Sequence, residues 1–169
     1  MRELKIFTIG TGNRSMEEFL CLLAAYQIEA IADVRRIPTS RHRHFKQTNL
    51  KASLKQNGIA YHHIVELGGY REGGYTRYMK TREFEEGLQY VEQLARSKRV
   101  AITCAELLHY KCHRKFTADA LTFHGHTVLH IIDEKQTVEH KSKNDKSKTV
   151  GVIKTLDEFL NDKNAPPGI

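Results

Sequence analysis

The sequence predicts a single α/β domain in three layers, a mainly parallel sheet of about five strands lying between two sets of helices. Three observations carry that prediction. Short β-rich runs alternate with helix-periodic segments from residue 4 to about residue 132. The runs Ala30–Val34 and Val100–Cys104 are almost wholly apolar, as strands covered on both faces must be. The links between most segments are short, which suits right-handed crossovers.

Taken in order, Lys5–Ile9 is the first strand and ends at Gly10. Ser15 with Glu18 forms a capping box, and Phe19, Leu22, Leu23 and Tyr26 follow at helical spacing. Ala30–Val34 is the second strand, broken in its apolar character by Asp33. After a basic loop from Arg35 to Lys46, Asn49 caps a short helix carrying Leu50 and Leu54, with Gly58 as its stop. Ile59–Val65 is a third strand. Gly68, Gly69, Gly73 and Gly74 punctuate a long loop to about Lys80, read as a flexible segment or lid rather than regular structure. Thr81 opens the clearest helix, with Phe84, Leu88, Val91, Leu94 and Ala95 on one face. Val100–Cys104 is the fourth strand. A helix from about His113 carries Phe116, Ala120 and Leu121 as far as Gly125, and Thr127–Ile132 is the fifth strand. The expected organisation is a Rossmann-like αβα domain over residues 1–133. Residues 134–169 follow as a polar, basic, mobile segment plus a helix at Ile153–Leu160 packing on the same domain.

Composition bounds the function. A chain of 169 residues is long enough for one domain with a proper core. No apolar run approaches the roughly 18–20 residues that cross a bilayer, so no membrane partner is expected. The start of the chain lacks a signal-peptide pattern, and the expected location is cytoplasmic. Three cysteines, Cys21, Cys104 and Cys112, are too few for a disulfide framework and read as reduced thiols. The net charge of +7 points to an anionic partner. Part of it lies between Lys135 and Lys148, where a solvated tail explains it equally well.

In open parallel sheets, ligands bind beyond the carboxyl ends of the strands. Three such ends carry unusual residues. After the first strand, Gly10 with Asn13, Arg14 and Ser15 leads into a helix whose free amides can hold a phosphate or carboxylate. A tight turn with a capping serine accounts for the same residues. After the second strand, Asp33 is costly in an apolar run unless paired, and Arg35, Arg36 or Arg41 can pair with it. Alternatively Arg35 and Arg41 hold an anion to which Ser40 donates. His42, Arg43, His44 and Lys46 read as a solvated basic edge.

The densest group follows the fourth strand: Cys104 and Glu106, then Cys112, His113 and Arg114. Cys112 sits at a helix start, where the dipole and Arg114 favour thiolate, with Glu106 or His113 as acid or base. Cys104, Cys112 and His113 can also supply three metal ligands. No CxxC pair or paired-histidine motif accompanies them, so no metal site is assigned at this level. Each thiol alone also reads as a packed structural residue. No cofactor motif is legible.

These residues occur in an order that resembles the domain-of-unknown-function family numbered 488. The matching motifs are Lys5–Gly10 with Asn13–Ser15, Asp33–Arg35 with Pro38, Ser40 and Arg41, Leu67–Gly69, Tyr78–Thr81 with Glu83 and Phe84, Cys104–Glu106 with Cys112–Arg114, and His130–Ile131. The resemblance spans roughly residues 4–133. It implies an α/β fold and a prokaryotic source, and it implies no reaction. Its recurrent polar positions fall here on Gly10, Asp33, Arg35, Ser40, Arg41, Cys104, Glu106, Cys112, His113 and Arg114. Many similar sequences carry histidine directly after the first glycine, where this chain has Thr11.

The functional expectation is an anion- or phosphate-binding site at the strand ends, belonging to an enzyme acting on a nucleotide or other phosphorylated small molecule. Asp33, Cys104, Glu106, Cys112 and His113 would do the chemistry. Gly10, Asn13, Arg14, Ser15, Arg35, Ser40, Arg41 and Arg114 would hold the ligand. The alternative is a nucleic-acid-binding or regulatory module without turnover.

Overall fold

The computed structural model describes residues 2–142. Alternate side chains of each strand point to opposite faces of the sheet, and this sorts the core into two parts. Ile6 of β1 (Lys5–Gly10), Ala30 and Ala32 of β2 (Ala30–Asp33), Val100 and Ile102 of β4 (Val100–Cys104) and Val128 of β5 (Thr127–Ile131) share one face. Against them lie Leu88 and Val91 of α4 (Arg82–Ser97) and Phe116 and Leu121 of α5 (Arg114–Phe123). Phe7, Ile9, Ile31, Ala101 and Ile131 form the other face, under Phe19 and Leu23 of α1 (Met16–Ala25) and Leu50 and Leu54 of α2 (Gln47–Gln56). The three layers are those expected.

The sheet has six strands in the order β3-β2-β4-β1-β5-β6, where β3 is Ala60–His63 and β6 is Thr137–Glu139. All neighbours are parallel except β5 and β6, which pair antiparallel with Leu129 opposite Glu139 and Ile131 opposite Thr137. The sixth strand corrects the expectation of about five and of a polar tail from residue 134. As an edge strand it is only half buried or exposed, so no apolar run marks it. The helix expected at Ile153–Leu160 lies outside the described residues.

Two other segments differ from the sequence reading. α2 begins at Gln47 after Lys46, and Asn49 caps nothing: its amide donates to the Arg43 carbonyl. The stretch after Gly68 is irregular over residues 68–74, as expected, but turns helical before Lys80. Its short helix α3 (Tyr75–Tyr78) buries both tyrosines, whose hydroxyls donate to the carbonyls of Leu67 and Glu66. Tyr75 stacks on Phe116, so aromatic packing holds a segment that its glycines marked as flexible. Ser15 and Glu18 do form the capping box, and Thr81 caps α4. Among the described residues no helix is long and apolar enough to cross a membrane.

Candidate functional site

Cys104 ends β4 on the face that α5 covers, and a 3-10 turn, His109–Lys111, carries the chain back so that Cys112 stands just before α5. Both cysteines are buried, and their sulfurs are in direct contact. The sequence reads them as reduced thiols in one cluster; the structure instead pairs Cys104 with Cys112 as a disulfide, which corrects that reading. Their Cα atoms are 7.8 Å apart. The Arg114 amide donates to Cys112 Sγ at 3.4 Å, so the start of α5 favours negative charge on that sulfur.

His113 completes the group. Its Nδ1 lies 3.7 Å from Cys112 Sγ, and its Nε2 donates to the Val34 carbonyl at 3.0 Å. That carbonyl can only accept, so the proton sits on Nε2 and the Nδ1 lone pair faces the sulfurs. Burial pushes the imidazole down to about 4; the Val34 bond opposes the shift and nearby Arg114 adds to it. His113 is therefore a neutral base at physiological pH.

These atoms floor a cavity of about 510 Å³ that also meets Arg35, Arg36, Thr39, Gly69 and Tyr70. It opens beyond the carboxyl ends of β2 and β4. From β2 the chain passes to α2 on one face of the sheet, and from β4 to α5 on the other. Such a divergence is where α/β sheets form ligand crevices. The charged groups lining it are arginines, with no carboxylate among them. Exposed Arg36 bonds the Tyr70 carbonyl across the mouth.

Asp33 and Arg35 lie beside this cavity as a buried pair. Arg35 donates Nε and Nη2 to the Asp33 carboxylate, at 2.9 and 2.6 Å, and Nη1 to the carbonyls of Thr39 and Phe45. Tyr61 donates its hydroxyl to Asp33 at 2.7 Å. Burial alone would lower the Arg35 guanidinium, but Asp33 outweighs it and the net shift is upward. The pair thus folds the basic loop back over β2. Ser40 accepts from the His42 amide, and Arg41 is exposed outside the lining.

The loop after β1 lies elsewhere. A Cβ on Gly10 would fall 2.1 Å from the Glu106 carbonyl oxygen, so glycine there admits the chain's own 106–107 loop. The amides of Thr11 and Gly12 donate to Cys104 and Ala105. Arg14 donates to the carbonyls of Gly10 and Ile132 and, with Asn13, lines a separate cavity of about 730 Å³. Ser15 caps α1, and Glu106 is exposed.

Arg114 is buried and donates to the carbonyls of Glu106 and Leu107 and, at 3.4 Å, to Thr8 Oγ1. Burial lowers it to about 10. From Thr8 a chain continues through His130 at 2.7 Å and His140 at 2.9 Å to Asp119 at 2.8 Å. Arg114 and Asp119 both belong to α5, so the chain of bonds closes a ring through β1, β5 and the residue after β6. His109 stacks on His130, with ring centroids 3.7 Å apart.

Of the predicted site residues, Cys104, Cys112, His113 and Arg35 meet at one cavity, with Asp33 directly behind it. Gly10, Asn13, Arg14, Ser15, Ser40 and Arg41 do not. Sequence reasoning gave no role at the cavity to Tyr70 or to the Val34 carbonyl, and it treated Gly69 as part of a lid. A backbone acceptor leaves no trace in sequence.

No curated protein and no solved structure matches this chain. A family model does match, over residues 15–121, and its span takes in the cavity, both cysteines and the Asp33–Arg35 pair. The chain belongs to the family described as domain of unknown function DUF488.

Proposed function

We propose that this protein is an enzyme that binds an anionic small molecule, a nucleotide or another phosphorylated compound, in the cavity over β2 and β4. The observation that carries the reading is the convergence of two sulfurs and a neutral imidazole at the floor of a cavity whose charged lining residues are arginines. Arg36, exposed at the mouth with Nη1 on the Tyr70 carbonyl, is the residue that meets the anion by a charge-assisted bond from its other donors. The floor supplies the reactive group, while Glu106, exposed two residues beyond Cys104, lies outside the lining. Arg35, in the lining, and Arg114, outside it, shape the site through Arg35's bonds to Asp33 and Phe45 and through Arg114's Nη2 bonds to the carbonyls of Glu106 and Leu107.

A thermal-shift screen against nucleotides, sugar phosphates and inorganic anions tests this. A ligand at 100 times its Kd should stabilise the fold by about 2.7 kcal/mol. That corresponds to a rise in Tm of roughly 5–10 °C for a chain of this size. The rise should shrink in Arg36→Ala and persist in Arg41→Ala. Equal loss in both variants, or no shift with any small anion, refutes the reading.

The nucleic-acid reading is supported by one observation, the exposure of Arg41, Arg43 and Lys46 along a single segment. It predicts oligonucleotide affinity whose log–log salt slope is about −0.9 per neutralised phosphate of duplex DNA. A flat salt response dismisses it.

A further inference from the structure

We propose that Cys104, Cys112 and His113 form a site for one thiophilic divalent ion, zinc first among them, with its fourth coordination position open to the cavity. The inference deepens the enzyme reading and rests on it for the role of the cavity. The two Sγ atoms and a ring nitrogen of His113 all lie within 4.8 Å of one another. In a tetrahedral zinc site, bonds of about 2.3 Å to sulfur and 2.0–2.1 Å to nitrogen place neighbouring sulfur and nitrogen about 3.6 Å apart. The distance from Cys112 Sγ to His113 Nδ1 is 3.7 Å.

Three further features fit a metal. The Val34 carbonyl takes the proton of His113 Nε2, the outer bond that orients a ligating histidine and leaves Nδ1 bare. The Arg114 amide donates to Cys112 Sγ, which suits a thiolate ligand. At residue 69, a Cβ would stand 2.7 Å from His113 Nδ1, and glycine keeps that nitrogen uncovered. A direct sulfur–sulfur bond fits the backbone less well. The Cα separation of 7.8 Å exceeds the roughly 4.4–6.8 Å usual for disulfides. Binding an ion needs the pair reduced: each thiol gives its proton to solvent as its bond to the metal forms, and the two sulfurs, in contact here, part to either side of the ion. Two cysteines and one histidine leave a zinc ion one position for water or substrate, the arrangement of catalytic rather than structural sites. That position faces the cavity lined by Arg36 and Thr39, so the ligand it takes is the anionic group of the substrate.

The test uses the full chain, free of any affinity tag, purified under a thiol reductant and without chelator. Elemental analysis should find about one equivalent of zinc per chain in the wild type and in Cys21→Ser, whose thiol is exposed. Content should fall below about a tenth of that in Cys104→Ser and Cys112→Ser. Because either variant can misfold, cobalt(II) is also added to reduced wild-type protein. Thiolate-to-cobalt charge transfer and intense tetrahedral ligand-field bands are expected, both abolished by zinc. No such spectrum, unchanged zinc in the Cys104 and Cys112 variants, or an intact mass two hydrogens lighter under reductant would overturn the proposal. Metal uptake without any anion-induced thermal shift would leave this site standing and sink the enzyme reading. Anion binding by protein that takes up no metal does the reverse.

Discussion

His130 Nε2 lies 2.9 Å from His140 Nδ1, joining the middle of β5 to the residue just past β6. The direction of that bond is set at the ends of its ring. Asp119 can only accept, so His140 donates Nε2–H to it and receives at Nδ1. His130 then donates from Nε2 and accepts from the Thr8 hydroxyl at Nδ1, while Arg114, which can only donate, supplies Thr8. Both tautomers follow.

Acid should therefore destabilise the fold. Burial pushes His130 down to about 2, positive charge on the neighbouring His109, His140 or Arg114 adds to the shift, and Asp119 is reached only through His140. The unfolded imidazole titrates near 6.5, so below that pH the unfolded chain binds a proton that the folded chain refuses. Stability from this group is complete above about pH 7 and falls by on the order of 1 kcal/mol per pH unit below 6.5. Urea unfolding at pH 7.5, 6 and 5 measures the slope. His130→Gln should be less stable at neutral pH but lose less on acidification; an unchanged slope would remove His130 as its source.

Asp33→Ala should cost about 3–5 kcal/mol, because it strands the buried Arg35 guanidinium. Tyr61→Phe, which removes one bond to the same carboxylate, should cost about 1 kcal/mol. Chemical denaturation of both proteins checks the ratio. An Asp33→Ala protein of native stability would return that carboxylate to the list of candidate catalysts.

Gly10→Ala should destabilise by at least about 1–3 kcal/mol, since its methyl would fall within 2.1 Å of the Glu106 oxygen. The 106–107 loop must lift, and with it the carbonyls that hold Arg114. Hydrogen exchange should rise at Thr11 and Gly12, whose amides depend on the same approach. Native exchange rates there would contradict the steric account.

Gly69→Ala should act differently, crowding His113 Nδ1 rather than the core. Zinc affinity is expected to drop about 10–100-fold, the range for a disturbed outer shell, while Tm of the metal-free protein moves little. A competition titration with a chromophoric chelator reads the first and a thermal melt the second. Undiminished affinity would mean that the metal does not use Nδ1.

Ser15→Ala should cost about 1 kcal/mol by removing the hydroxyl that accepts from the Glu18 amide at the start of α1, while the backbone N–H of residue 15 still donates to the Glu18 carboxylate. The loss should appear in thermal melts and leave anion binding unchanged, because Ser15 lines neither the cavity over β2 and β4 nor the one beside Arg14.

The layers were legible because burial writes itself as apolar runs in β1, β2, β4 and β5 and as a helical stripe in α4. β6 was not, since an edge strand needs no such run. The cysteine–histidine group could be seen as a cluster, because Cys112 and His113 adjoin and one short loop separates them from Cys104. What that cluster faces could not. The Val34 carbonyl and Gly69 come from distant chain segments and carry no chemical label in the sequence. The same limit explains Arg35: its attraction to Asp33 was readable, but not that carbonyls of Thr39 and Phe45 would absorb its remaining donors.

The closed ring through Thr8, His130, His140 and Asp119 also constrains how this chain can change over generations. Its hydrogens all point one way round, so replacing one member by a residue of the wrong donor or acceptor type orphans the next in a buried place. Single substitutions at these four positions should be poorly tolerated, while concerted ones that restore the order of donors should survive. Relatives are therefore expected to keep the four residues together or to have lost them together.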